Sequence, residues 1–251
     1  METLPRKQRA VASPLRRFYE EFNRHYELSI DEAGRGCLFG RVYIACVVLP
    51  KDPDDFSGKD IKDSKKFSSK KKIHEVASYI KEKAFAWHIA SVDEKTIDNL
   101  NILQSVMRGM HECIRETIKK VCLKTGIDVD CSLAEFLAVI DGNYFTPYVG
   151  YDRKTESIQT LRHVTVEQGD ATYMGIAAAS ILAKTARDEY VIEMCNRYPE
   201  LSTRYALEKN MGYGTKSHLS GIQEHGISQW HRRTFGNACK TAVVNEIESS
   251  V

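Results

Sequence analysis

Leu28-Ser29-Ile30-Asp31-Glu32-Ala33-Gly34-Arg35-Gly36 carries an apolar stretch into two adjacent carboxylates, a glycine, a fixed cation and a second glycine. With the β-branched and apolar run Val42 to Leu49, it reads as two strands joined by a tight glycine-bearing loop over Gly34 to Gly40. Acids at a strand end can hold a hard divalent cation, and small residues beside them let a charged polymer approach the backbone. An isolated Asp-Glu pair is ordinarily a solvated turn. Two distant segments alter that reading: Asp141-Gly142 closes the apolar run Phe136 to Ile140, and Gly169-Asp170 precedes a helix of small residues. Only folding can bring these acids together.

The 251 residues suffice for one main domain with a small appendage. Residues 1–12 read as a flexible basic arm, 13–200 as the main domain, 201–240 as a helical extension appended to it, and 241–251 as a tail. Ser13 and Pro14 suit the start of a short amphipathic helix with Leu15, Phe18, Tyr19, Phe22 and Tyr26 on one stripe. Helices are expected over Ile73–Lys83, Asp98–Val121 and Tyr173–Arg197, and strands over Phe85–Val92 and Phe136–Ile140. Strands followed by alternating helices and strands give an α/β fold, a mixed sheet covered on both faces. The polar stretch Tyr148 to Ser157 reads as an inserted loop or hairpin.

Seven cysteines without zinc spacing fit reduced thiols and a cytoplasmic location. No segment approaches the roughly 18 to 20 apolar residues that cross a bilayer, and the basic N-terminus lacks an apolar signal core, so no membrane role is expected. Net charge is only +2, so a nucleic-acid partner must be argued from where the cations lie. They gather between Lys59 and Lys72, where Lys65 and Lys66 follow Ser64, while Lys184 and Arg187 lie one turn apart on a later helix and could face phosphate or solvent.

Together these segments resemble the type 2 ribonuclease H (ribonuclease HII) family, over about Phe18 to Phe235. The resemblance rests on Ile30 to Gly36, Asp63-Ser64-Lys65-Lys66, Asn101-Ile102-Leu103, Val139 to Gly142, and Gly169-Asp170 with Ala177 to Lys184 and Arg187-Asp188. It continues in Gly212-Tyr213-Gly214-Thr215 with His218, Gly226 and His231-Arg232. It implies a ribonuclease H-like fold, a five-stranded mixed sheet flanked by helices with a small helical C-terminal extension. It also implies a metal-dependent endoribonuclease that cuts the RNA strand of RNA/DNA hybrids and cuts 5′ of single ribonucleotides embedded in duplex DNA, leaving 3′-hydroxyl and 5′-phosphate ends. Alternatives are a type 3-like enzyme preferring long hybrids and a non-catalytic hybrid-binding module.

By motif, Asp31, Glu32, Asp141 and Asp170 would be the catalytic metal ligands, holding two Mg²⁺ or Mn²⁺ ions about 4 Å apart. Gly34, Arg35 and Gly36 would read the ribose 2′-hydroxyl, which DNA lacks. Tyr213 would stack on the following sugar, and Lys65, Lys66 and Lys184 would hold phosphates, with Ser64 either beside the substrate or capping a helix. His163, His218 and His231 read as hydrogen-bonded structural histidines. The chain departs from the family's proline-rich continuation at Cys37, Leu38, Phe39, Gly40 and Arg41, where Phe39 and Arg41 are expected to add bulk and charge beside the reader. A monomer is the default. A replication clamp is admissible as a partner, although the tail shows no clear clamp-binding pattern.

Overall fold

The computed structural model describes residues 14–20, 25–128, 133–153 and 155–248. Its centre is a sheet in which β1 (Tyr26–Ala33) runs antiparallel to β2 (Val42–Val48), and β2 antiparallel to β3 (Ala86–Val92). On the other side of β1, β4 (Phe136–Asp141) and a strand that follows the insertion β5 (Val149–Asp152) and β6 (Ser157–Thr160), β7 (Arg162–Val166), run parallel to it, giving the order β3-β2-β1-β4-β7. The outer strand β7 escapes sequence reading because Arg-His-Val-Thr-Val is short and half exposed. The expected insertion is a hairpin, β5 (Val149–Asp152) paired with β6 (Ser157–Thr160).

Side chains alternate between the two faces of a strand. Leu28 and Ile30 of β1, with Ala138 and Ile140 of β4, face a core completed by the long helix α3 (Ile102–Thr125). Ala45 and Val47 of β2 face the opposite core, built with α1 (Lys70–Lys83) and α4 (Met174–Arg197). The small start of α4 is a packing requirement: a Cβ at Gly175 would overlap Ser29 Oγ of β1, and Ala177, Ala178 and Ala179 are fully buried.

The helix expected from Asp98 to Val121 is two helices, α2 (Glu94–Leu100) and α3. Asn101, at φ 72°, closes α2 through its N–H to Ile97 O and opens α3 by accepting the Gln104 N–H on its carboxamide. The helix expected from Ser13 is absent over residues 14–20. There Arg16 bridges Tyr173 through backbone bonds to Thr172 and Met174, and the Arg17 guanidinium donates to the carbonyls of Pro50, Asp52 and Phe56. Leu15 and Phe18 still pack inward, but tertiary carbonyls outcompete a local helix, and Tyr26 begins β1. The 1–12 arm and Phe22 lie outside the described residues.

Past α4, the short helices α5 (Glu200–Tyr205), α6 (Leu207–Asn210), α7 (Lys216–His225) and α8 (Gly236–Thr241) form a cluster against Val191 and Cys195 of α4. The expected tail packs there too as far as it is described: Ile247 is buried, and Ile227 N–H donates to Val243 O. The described cysteines are free and buried, and no described helix is long and apolar enough to cross a membrane.

Candidate active site

Register places the first two acids. Ile30 pairs with Ile140 on adjacent parallel strands, so Asp31 and Asp141 stand side by side at the same edge of the sheet, on the face that α4 covers. Asp170 joins them from a 3₁₀ turn at Gly169–Ala171, because Asp141 Oδ1 accepts the Gly169 N–H at 2.7 Å. Asp31, Glu32, Asp141 and Asp170 thus line one cavity of about 290 Å³ with Gly34, Arg35, Gly36, Ser64, Lys65, Lys184 and Tyr213. Of the residues expected to hold metal or substrate, Lys66 is outside this lining, turned to Asp63 at 3.8 Å.

Burial pushes the Asp31 carboxyl well above the ordinary carboxylate range, and the neighbouring charges of Asp141 and Glu32 push it further. Glu32 is raised by burial against the Arg35 guanidinium, which stands 3.3 Å away and pulls it down. Asp141 is raised by burial and by Asp170, partly offset by the Gly169 N–H. Lys65 loses solvation, but Asp170, 3.6 Å from its Nζ, with Asp63 and Asp31 outweighs that loss and holds the ammonium more firmly protonated.

These are oxygen-only donors with an excess of like charge, the chemistry that suits hard divalent cations. The carboxylates ring the cavity rather than meeting at a point: among the described residues, no three Asp, Glu, His or Cys side chains already enclose one ion. Ser180 supports the set: its hydroxyl lies 3.0 Å from Ser64 Oγ, and its presence beside Asp31 offsets part of the rise that burial causes there. Ser64 is therefore a buried member of this chain, and Ser69 is the residue that caps α1. Lys184 lines the cavity and pairs with Asp188 at 2.8 Å.

The glycine loop is organised by two buried arginines whose roles sequence reading missed. Arg187 is 2% exposed yet lines the cavity beside Lys184; it donates to Met211 O at 2.6 Å and Phe39 O at 3.2 Å, while its Nε has no partner. Arg232 donates to Gly40 O at 2.8 Å and Arg35 O at 3.0 Å, and burial lowers it only to about 10, so it stays charged at neutral pH. Gly34 sits at φ +89° directly against Arg187, where a Cβ would overlap Nε and Cδ. Phe39 is fully buried, edge-on to His231, and Arg41 lies over Tyr190, so the expected bulk and charge beside the reader do not arise. Cys37 is likewise buried, its Sγ 3.7 Å from Met211 O. The third expected histidine, His163, is half-buried against the edge of Phe145.

A mixed sheet in this order, helices on both faces and acids at the ends of adjacent central strands define a protein of the ribonuclease H-like class. The sequence model for ribonuclease HII matches residues 28–238. The ribonuclease HII of Parabacteroides distasonis is 41% identical over 209 residues, covering 83% of this chain and 89% of its own. Among solved structures, the fold is shared with ribonuclease HII in a complex with PCNA from Archaeoglobus fulgidus (TM-score 0.54, 21% identity, 84% of this chain and 95% of that one). It is also shared with Bst-RNase HIII in complex with Mn²⁺ (TM-score 0.53, 15% identity, 89% and 67%). The chain belongs to the ribonuclease HII family and is a hydrolytic endoribonuclease.

Proposed function

We propose that this enzyme hydrolyses the RNA strand of RNA/DNA hybrids and cuts 5′ of single ribonucleotides embedded in duplex DNA, leaving 3′-hydroxyl and 5′-phosphate ends. The observation that carries this reading is one cavity lined both by the four carboxylates and by the Gly34–Gly36 loop and Tyr213. Asp31, Glu32, Asp141 and Asp170 would hold two divalent cations, Mg²⁺ or Mn²⁺, which when bound supply neutralisation of the scissile phosphate and activation of the attacking water. The raised carboxylates and the solved Mn²⁺ complex of an enzyme of this fold support that assignment.

The side chains supply the rest. Gly34 and Gly36 present backbone groups to the ribose 2′-hydroxyl with no Cβ in the way, and Arg35, half exposed beside Glu32, reaches the adjoining phosphate. Tyr213 is 49% exposed and offers its ring to the next sugar. Lys65 and Lys184 hold phosphates within the cavity, and Lys66 does so outside it. None of these contacts reads a base edge, so little sequence preference is expected.

Mapping cut positions on all-hybrid, one-ribonucleotide and all-DNA duplexes tests the proposal. Cleavage of the first two, with the single cut 5′ of the ribonucleotide, is expected. A chain that cuts only the long hybrid is type 3-like, and one that binds without cutting is a binding module. Tyr213→Ala should remove the packing of its ring on the next sugar and lower junction cleavage more than hybrid binding. Equal losses in the two assays would make Tyr213 a general contact. Binding should weaken with salt at a log–log slope of about −3, for the cations Arg35, Lys65, Lys66 and Lys184. A flat salt profile would remove them from the interface.

A further inference from the structure

His218 and His231 are fully buried and take no part in the chemistry just described, yet their ring nitrogens form a continuous chain that ends on Tyr213. The Ser228 backbone N–H stands 3.0 Å and the Ser228 hydroxyl 2.8 Å from His231 Nδ1; because a backbone N–H can only donate, that nitrogen carries no proton and the hydroxyl donates to it as well. The His231 proton therefore sits on Nε2, which donates to His218 Nε2 at 3.0 Å. His218 in turn carries its proton on Nδ1 and donates it to the Tyr213 carbonyl at 2.9 Å. Each tautomer forces the next. A proton added to His218 would set two N–H donors face to face, and one added to His231 would set a donor against the Ser228 N–H. Burial, reinforced by His218, lowers His231 to about 3, and burial also lowers His218, in the direction that the donor pattern of a neutral pair requires.

The other end of the chain belongs to the glycine loop. His231 pairs antiparallel with Phe39, Gly40 N–H donates to Trp230 O at 2.8 Å, and Arg232 N–H donates to Leu38 O at 2.8 Å. Phe39 stands edge-on to the His231 ring at 5.3 Å, and Tyr205 covers it at 4.7 Å. Backbone bonds thus fix His231 to the loop, while the His218 proton fixes Tyr213 to His231.

We propose that His218 and His231 are positioning residues: a neutral pair of fixed tautomers that sets the distance between the Gly34–Gly36 loop and Tyr213, and hence between the ribose and the sugar that follows it. This rests on the assignment of that loop and ring to successive sugars.

Long-range ¹H–¹⁵N NMR of the full chain at pH 7 reads the tautomers directly. His218 is expected protonated on Nδ1 alone and His231 on Nε2 alone; an imidazolium at either position, or a proton on His231 Nδ1, overturns the proposal. Kinetics supply a second arm. His218→Asn puts its amide where Nδ1 stands and keeps a donor for Tyr213, whereas His218→Gln puts its amide at the Nε2 position and loses that donor. His218→Gln should lower kcat/KM on a one-ribonucleotide duplex roughly 100-fold, with a smaller loss on a long hybrid, and His218→Asn should recover most of that loss. Equal losses for both variants on both duplexes, following their melting temperatures, would mean packing alone and would overturn it. A wild-type chain unable to cut the one-ribonucleotide duplex would instead defeat the substrate assignment, and the tautomers would still decide whether the pair is built as described.

Discussion

Replacing Asp31 with Asn is expected to abolish cleavage while making the metal-free protein more stable. An amide fills the same space but is a poor ligand for a hard cation, so turnover should fall by about a hundredfold to a thousandfold or more. Stability should move the other way. The folded protein holds the Asp31 carboxyl protonated to a higher pH than the unfolded chain does, because of burial and the charges of Asp141 and Glu32. Above the ordinary value of 3.8 the folded state therefore binds more protons, and stability falls as pH rises through the raised value. Asn carries no charge and removes that penalty, by roughly 1 kcal/mol, the usual gain when a strained functional residue is replaced. Thermal melting without divalent cations checks this across pH. A lower melting temperature for Asp31→Asn, or near-normal turnover, would show that Asp31 is not an uncompensated ligand.

Gly34→Ala should damage both the fold and recognition, whereas Gly36→Ala should damage recognition alone. At Gly34 the backbone has φ +89°, and an added Cβ overlaps Arg187. That side chain cannot retreat easily, because it is buried and bonded to Met211 O and Phe39 O. Strain and overpacking of about 1–3 kcal/mol each combine to an expected loss of about 2–6 kcal/mol. At Gly36 no atom lies within 4 Å of an added Cβ, so stability should stay within about 0.5 kcal/mol of the parent. Cleavage at an embedded ribonucleotide should nonetheless fall by about 100-fold there, through obstruction of the 2′-hydroxyl. Denaturant melts and cleavage assays on both variants separate the two effects. Equal stability of the pair would contradict the contact with Arg187, and full activity of Gly36→Ala would remove it from the reader.

What sequence alone revealed follows from how locally each feature is encoded. Asp31 and Asp141 stand out because each closes an apolar run, Asp141 at the last position of β4 and Asp31 two residues before the end of β1. Tyr213 and the Gly34–Gly36 loop were found by motif. Its spacing from Lys184 puts Arg187 on the cavity side of α4, but its bracing of the loop is hidden from sequence, because the carbonyls it meets lie 24 and 148 residues away. The break at Asn101 was hidden because its carboxamide supplies the cap that an apolar period cannot reveal. Likewise the segment at 14–20 keeps a helical-looking apolar stripe, but the bonds of Arg16 and Arg17 to distant carbonyls decide its shape.

Convergence of acids from three separate segments on one cation site is the claim on which the account turns, and Mn²⁺ titration followed by electron paramagnetic resonance tests it without relying on activity. Wild-type protein should bind Mn²⁺, and Asp31→Asn, Asp141→Asn and Asp170→Asn should each weaken that binding by at least about tenfold. Mn²⁺ affinity unchanged in any one of these variants, with its fold intact, would contradict a shared site.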